Sequence, residues 1–285
     1  MKELVVISGK GGTGKTSVVG ALAALAKDYI LADCDVDASD LHLLTDPQVH
    51  TTHTFTGGKL AQVDPELCRQ CGVCRGVCRF NAISMDCTID PLACEGCGVC
   101  VWNCPENAIT FTARQHGEWY ESTTRTGAPF IHAALQPGEE NSGKLVTLVR
   151  DEARKRADGK ALLLVDGPPG TGCPVIAAVG GADLLLIVTE PTLSAIHDME
   201  RAVSLARHFH VPFLILINKY DINLELTGRI EAFCAEKGIK IAGKIPFSEE
   251  FLSAQKAGFS VMENTSGPLY TVFTQIWQTI VNFNI

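Results

Sequence analysis

The sequence predicts an α/β fold: a mostly parallel sheet covered by helices on both faces, with a smaller cysteine-rich α+β module spliced into it. Three observations carry this. Short continuous apolar runs alternate with helical patterns toward both ends of the chain, as in strands buried on both faces. A glycine-rich stretch, Ser8-Gly9-Lys10-Gly11-Gly12-Thr13-Gly14-Lys15-Thr16, joins the first run to the first helical pattern. The alternation then fails from about Asp46 to Phe130, and nine of the twelve cysteines fall between 68 and 104.

Leu4–Ser8 reads as the first buried strand and Ser17–Lys27 as its crossover helix. The loop between them fits G-x-x-x-x-G-K-[ST], with Gly9, Gly14, Lys15 and Thr16 in the fixed places. Its glycines let successive N–H groups turn inward around an anion, and the helix start at Lys15 adds its positive end. Lys15 then reaches the β- and γ-phosphates, and the Thr16 hydroxyl holds Mg²⁺. Gly9 through Ser17, with Gly11, Gly12 and Thr13 between, form the expected phosphate cradle. Tyr29–Ala32 is the second strand, ending in Asp33-Cys34-Asp35-Val36-Asp37. Strand-like pieces follow at Thr51–Thr56, Ala108–Ala113 and Glu118–Thr123. Alternation resumes with a helix at about Ser142–Ala157, the strand Ala161–Val165 ending at Asp166, and Asp183–Thr189. A helix near Ala195–His208, the strand Phe213–Ile217, a helix near Leu224–Lys237 and the strand Ile239–Ile245 complete it. Leu269–Phe283 carries apolar residues at 269, 272, 273, 276, 277, 280 and 281, a core-facing helical stripe. Ligands of such sheets sit at the carboxyl ends of the strands.

Cys68, Cys71, Cys74 and Cys78 have C-x2-C-x2-C-x3-C spacing; Cys94, Cys97, Cys100 and Cys104 repeat it, and Asn81-Ala82-Ile83 recurs as Asn107-Ala108-Ile109. Zinc ribbons use paired C-x2-C knuckles with four ligands per metal, which these triple runs do not match. The pattern resembles that of bacterial two-cluster ferredoxins, in which the fourth cysteine of each run ligates the other cluster. The resemblance implies one [4Fe–4S] cluster on Cys68, Cys71, Cys74 and Cys104, and another on Cys94, Cys97, Cys100 and Cys78. Arg79 departs from the pattern, standing where Pro105 stands in the second run. The expected domains are 1–57 with 114–285 for the nucleotide, and 58–113 for the clusters. Cys34, Cys87 and Cys234 read as small packing residues.

A net charge of −8 gives no reason to expect a nucleic-acid partner. No apolar run approaches the ~18 residues of a membrane-spanning helix, no basic residue follows Lys256, and the first strand leaves no room for a signal peptide. A cytoplasmic location is expected.

Lys10 makes the loop K-G-G-x-G-K-T, and here the residues resemble the deviant Walker A ATPases: MinD, ParA, the Mrp-type iron–sulfur carriers and the nitrogenase iron protein. The resemblance implies that Lys10 reaches a partner's nucleotide across a dimer, made with itself or with a similar chain. It implies that Asp35 positions the attacking water, that Asp33 and Asp37 lie near the metal, and that Asp166 orients Mg²⁺ as a Walker B aspartate. Asn218-Lys219-Tyr220-Asp221 matches the N-K-x-D pattern that selects guanine in GTPases, yet MinD-type ATPases hold adenine with an asparagine there. Pro246 sits where their second base loop begins. With this loop, ATP/ADP is expected and GTP is the alternative. Asp166-Gly167-Pro168-Pro169-Gly170-Thr171-Gly172-Cys173 resembles the D-x-P-P-G-T-G-D switch of the Mrp-type carriers, with Cys173 replacing the last aspartate. A cysteine at a similar distance holds a cluster between subunits in the nitrogenase iron protein, which implies a redox or cluster-ligating role for Cys173. Gly138-Glu139-Glu140-Asn141-Ser142-Gly143-Lys144 resembles a segment of the ferredoxin-carrying members, with Asn141 or Ser142 as an N-cap. The expected activity is ATP hydrolysis by a dimeric switch. Two clusters couple it to electron transfer or to iron–sulfur or metallocofactor maturation of a client or redox partner. The alternative is a MinD- or ParA-like positioning ATPase whose clusters are structural or redox-sensing.

Overall fold

The computed structural model describes residues 1–136, 142–157, 159–264 and 267–283. The chain runs β1 (Lys2–Ser8), α1 (Lys15–Leu25), β2 (Tyr29–Asp33), α2 (Leu41–Thr45), β3 (Gln48–Val63), α3 (Val73–Val77), α4 (Val99–Trp102), β4 (Ile109–Thr123) and β5 (Pro129–Leu135). It continues through α5 (Ser142–Arg156), β6 (Leu162–Pro169), α6 (Cys173–Val179), β7 (Leu184–Thr189), α7 (Leu193–His208), β8 (Phe213–Asn218), α8 (Leu224–Glu236) and β9 (Ile241–Ile245). Helices α9 (Glu250–Lys256), α10 (Val261–Asn264) and α11 (Pro268–Val281) close it. The sheet order is β3-β4-β5-β2-β6-β1-β7-β8-β9, and from β5 to β9 every neighbouring pair is parallel.

The chain divides into two compact units. One comprises Met1–His53, Trp119–Ala134 and Ser142–Ile285; the other comprises Thr54–Glu118 with Leu135 and Gln136. In the larger unit the central strands are buried along almost their whole length, because helices cover both faces of a parallel sheet. Helix α11 presents Leu269, Phe273, Ile276 and Ile280 to the core, with Val272 and Trp277 half-buried against it, while Val281 is exposed. The buried Glu3 on β1 pairs with Arg150 and Arg154 of α5, at 2.6 and 2.7 Å. Arg150 also donates to the carbonyls of Ala177 and Gly180, so one ion group ties β1, α5 and the end of α6 together.

The structure corrects two details of the strand assignment. The pieces at 51–56, 108–113 and 118–123 belong to two long strands, β3 and β4. Ladder pairing carries β3 through Gly57 and Gly58, because strand formation depends more on neighbours than on propensity. Strand β5 was not expected. It opens on Pro129, a first-residue place where the missing N–H costs no ladder bond, and pairs Phe130 and His132 with Leu31 and Asp33 of β2. Helix α6 carries Pro174 in its first turn. Gly138 to Asn141 lie outside the described residues; Ser142 opens α5.

The smaller unit repeats its backbone as well as its sequence. Gln70 and Gly96, Gly72 and Gly98, and Asn81 and Asn107 hold equivalent places in the two runs, and all six have positive φ, between 51° and 86°. Gly72 and Gly98 each start a short helix, α3 and α4. The core of this unit is largely thiol: Ala61, Cys74, Ile83, Cys87, Cys100 and Ile109, with Cys68, Cys78, Cys94 and Cys104 packed half-buried against it.

His132 of β5 is buried, stacked on Phe130 at 4.5 Å and on Tyr120 at 4.8 Å, with Ser122 Oγ 2.9 Å from Nε2. Burial, aided by the nearby His42, lowers its pKa from 6.5 to about 4. The folded protein therefore keeps this ring neutral, while the unfolded chain takes up a proton as pH falls below 6.5. Stability is lost as pH drops from 6.5 toward about 4, by at most about 3 kcal/mol. His132→Gln should flatten the stability profile over that window in urea titrations at several pH values; an unchanged acid slope would refute the assignment.

Candidate functional site

The carboxyl ends of the parallel strands bring the expected residues to one edge. Ser8 ends β1 and leads into the glycine-rich loop, Asp33 ends β2, Asp166 lies in β6, Thr189 ends β7 with Glu190 next, Asn218 ends β8, and Pro246 follows β9. At the centre is Lys15, only 5% exposed although charged. Its Nζ lies 2.5 Å from Asp166 Oδ1, 3.2 Å from Asp35 Oδ2 and 3.5 Å from Thr16 Oγ1. Burial alone would lower the lysine pKa, but Asp166, Asp35 and Asp33 outweigh it and hold the pKa above the ordinary value.

The carboxylates differ among themselves. Asp33 is fully buried; desolvation and the neighbouring Asp166 charge push its pKa up to about 8. Both its oxygens are engaged, by Ser39 Oγ at 2.8 Å and by the Asp35 N–H at 3.0 Å, so it shapes the turn after β2. Asp35 has its pKa raised by burial, against the pull of Lys15. Asp166 is fully buried, and among the described residues its Oδ2 has no hydrogen-bond partner, nor has the Thr13 hydroxyl. An orphaned buried carboxylate oxygen beside Thr16 fits the donor chemistry of Mg²⁺, a hard cation taking oxygen ligands. Asp37 is exposed, and its charge acts on Asp35.

Lys10 is held on its own chain. Its Nζ lies 3.1 Å from Glu190 Oε1, 3.3 Å from Thr192 Oγ1 and 3.2 Å from Ser194 Oγ. Glu190 also receives Lys219 at 2.9 Å, and Lys219 donates to the Gly12 carbonyl. The sequence did not single out Glu190, Thr192 or Ser194, and gave Lys219 only as part of N-K-x-D. The available signal was their place just past the apolar strand β7 or β8, at the edge where Asp33 and Asp166 also stand.

Asn218 Nδ2 donates to the Thr13 carbonyl at 2.7 Å. A groove of about 650 Å³ opens beside it, lined by Gly12, Gly14, Ser17, Asn218, Lys219 and Pro246 among others. Asp221 is not on that lining; its Oδ1 accepts the N–H of Phe247 at 2.7 Å and so fixes the loop that carries Pro246. Cys173 is exposed at the start of α6.

In the smaller unit, a cavity is walled by Cys78 together with Cys94, Cys97 and Cys100, and by Ala61, Ile83 and Ile89. That is the fourth cysteine of the first run with the first three of the second. The N–H of Gln70 donates to Cys68 Sγ at 3.4 Å and that of Ala108 to Cys104 Sγ at 3.3 Å. Among the described residues no three His, Cys, Asp or Glu side chains converge on the position of one metal ion. A cubane asks for something different, since each of its thiolates binds a separate iron. A thiol-walled apolar cavity and N–H groups aimed at sulfur fit such a group.

Residues 4–261 match the model of the CobQ/CobB/MinD/ParA nucleotide-binding domain. The chain belongs to this family and is a P-loop ATPase of the MinD/ParA type. Of its relatives, the uncharacterized protein MJ0578 of Methanocaldococcus jannaschii is 40% identical over 225 residues, 78% of this chain and 79% of that protein. The iron–sulfur cluster carrier protein of Pyrococcus abyssi is 28% identical over 134 residues, 42% of this chain and 45% of the carrier. The septum site-determining protein MinD of Pyrococcus horikoshii, solved with Mg-ADP, superimposes with a TM-score of 0.60 at 15% identity over 99% of this chain and 96% of that one. No helix among the described residues is long and apolar enough to cross a membrane.

Gly14 has φ 86°, and a Cβ there would fall on Asn218 Nδ2. Gly14→Ala strains the loop by about 1–3 kcal/mol and displaces the asparagine. ATP affinity should drop roughly ten-fold or more in a fluorescent-nucleotide titration, with the far-ultraviolet dichroism retained; unchanged affinity would show that the loop has slack.

Proposed function

We propose that this ATPase is a nucleotide-driven dimeric switch whose smaller unit, centred on 58–113, carries two [4Fe–4S] clusters, and that it passes electrons to a client protein. Maturation of an iron–sulfur or metallocofactor client is the variant suggested by the relatives named as cluster carriers. The observation that carries the reading is the cavity shared by Cys78 and the Cys94, Cys97 and Cys100 run, because exchange of the fourth cysteine between runs belongs to two-cluster ferredoxins. Cys68, Cys71, Cys74 and Cys104 would hold the other cluster. Such clusters supply one-electron storage when bound.

Phosphoryl transfer asks the protein mainly to position groups and stabilise charge. Without nucleotide, Lys15 is neutralised by Asp166 and Asp35. Phosphates entering the loop compete for that lysine and release the carboxylates. Asp35 then orients the attacking water, and Asp166 with Thr16 serves the Mg²⁺ shell. Lys10, leaving Glu190, Thr192 and Ser194, stabilises the partner's phosphates as an arginine finger does elsewhere. Asn218 and the Pro246 loop take the base. Asp221 is already bonded to Phe247 N–H, which favours adenine over guanine. Cys173, exposed at the start of α6, stands as a redox-active or cluster-ligating thiol in the same reading.

The following measurements test this. Anaerobically purified protein should be brown with about eight irons per chain, and ATP should out-compete GTP; zinc or a colourless product would sink the cluster reading. Asp35→Asn should lower kcat roughly 100-fold with nucleotide affinity little changed. Lys10→Ala should bind ATP yet sediment as a monomer where the parent dimerises. An ATPase rate indifferent to cluster oxidation, with midpoint potentials indifferent to nucleotide, would favour a positioning ATPase with structural clusters.

A further inference from the structure

Glu190 stands between two lysines that belong to different parts of the nucleotide edge. Its Oε1 receives Lys10 Nζ at 3.1 Å and its Oε2 receives Lys219 Nζ at 2.9 Å, while its own side chain is only 12% exposed. Burial pushes its pKa up, but hydrogen bonds from Lys219 and Lys10 hold it below the ordinary carboxylate value. Backbone contact brings Lys10 to this place. Gly9 lies so close to α7 that a Cβ there would fall on Asp198, and the Ser8 hydroxyl donates to the Lys10 carbonyl at 2.8 Å. The ammonium thereby meets the start of α7, where the hydroxyls of Thr192 and Ser194 accept from it at 3.3 and 3.2 Å. Thr192 also caps that helix, accepting the Ala195 N–H at 3.2 Å.

A helix N-terminus carries the positive end of the helix dipole, which disfavours an ammonium beside it. Lys10 is therefore held there by Glu190 rather than by α7 itself. Lys219 gives Glu190 a second partner and is fixed in turn by donating to the Gly12 carbonyl at 3.2 Å. When Lys10 leaves, Glu190 stays paired, and no buried charge is stranded. The arrangement restrains Lys10 and yet can open.

We propose that Glu190 is a positioning residue that restrains Lys10 on its own chain, and so sets the ATP concentration at which two copies of the chain associate. This rests on the dimeric-switch reading and adds to it a residue that opposes the dimer. Lys10 reaches a partner's phosphates only by giving up Glu190, so each protomer loses one ion pair on association. The loss is offset when the partner presents a triphosphate, whose charge exceeds that of one carboxylate; an empty partner offers no such exchange. The threshold thus depends on both sites being loaded.

The test is sedimentation velocity of the full-length protein across an ATP series, for the parent, Glu190→Gln, Glu190→Asp, Ser194→Ala and the double variant Lys10→Ala/Glu190→Gln. ATP affinity is measured on each at monomeric dilution by fluorescent-nucleotide titration. Glu190→Gln should dimerise at roughly two- to five-fold lower ATP than the parent, with ATP affinity of the monomer unchanged. Ser194→Ala, which keeps Glu190 and removes one acceptor, should shift the same way by less, and Glu190→Asp should return toward the parent. The double variant should stay monomeric. An unmoved or raised threshold in Glu190→Gln overturns the role of Glu190 and leaves the dimer standing. Dimerisation of the double variant also overturns it, since Glu190 would then act by its charge and not through Lys10. A weakened ATP affinity in the Glu190→Gln monomer overturns it as well, placing Glu190 in the support of the loop through Lys219. If neither the parent nor Glu190→Gln dimerises at saturating ATP, the dimeric reading itself falls.

Discussion

The structure turns on a lysine that could not be buried alone. Taking an ammonium out of water is costly unless it is paired, and Lys15 is withdrawn to 5% exposure by the loop that opens α1. Asp166 and Asp35 stand against its Nζ, and Asp33 acts from the neighbouring strand. Burial and the Asp166 charge push the pKa of Asp33 up to about 8, which weakens its negative charge beside Lys15. That leaves one cation facing two carboxylates. A bare triphosphate meets net repulsion in such a group, whereas a triphosphate with Mg²⁺ brings the missing positive charge. The orphaned Oδ2 of Asp166 has the chemistry to receive it.

Parallel topology lets distant residues form that group. Val6 pairs with Asp166 across β1 and β6, and Asp33 with Asp166 across β2 and β6, so residues more than 130 positions apart become neighbours by register alone. This is why so much of the larger unit was legible. Each strand was a continuous apolar run, and each polar residue ending a run pointed to the same edge. What stayed hidden lacked such a run. Strand β5 starts with proline and buries a histidine, and its identity comes from β2 beside it. Asp221 was read as a base contact from its place in N-K-x-D, but the sequence has no means of showing that the Phe247 N–H claims one of its oxygens. The lysines show the same limit. Lys10 was singled out by motif, yet Thr192 and Ser194 at the start of α7 and Glu190 before it lie 182, 184 and about 180 residues away.

In the smaller unit, spacing told more than hydropathy could. Two identical cysteine runs force two similar backbones, and the left-handed residues recur at 70 and 96, 72 and 98, and 81 and 107. Only the first of these pairs mixes glycine with another residue, so the turn geometry is set by the run and not by glycine's freedom alone. A duplicated sequence would give two equivalent environments if the runs were all that mattered. The hairpin at 83–89, whose arms meet at the Ile83–Ile89 bridge, removes that equivalence, because its turn has no counterpart within the second run. Cys87 reads as packing because a thiol outside a spaced motif carries no signal of its own, and the fold buries it in one core with Cys74. A symmetric pattern of cysteines with an asymmetric set of neighbours yields two runs alike in spacing and unlike in environment. The two runs are therefore interchangeable in spacing and distinct in their surroundings, a difference only the fold around them can make.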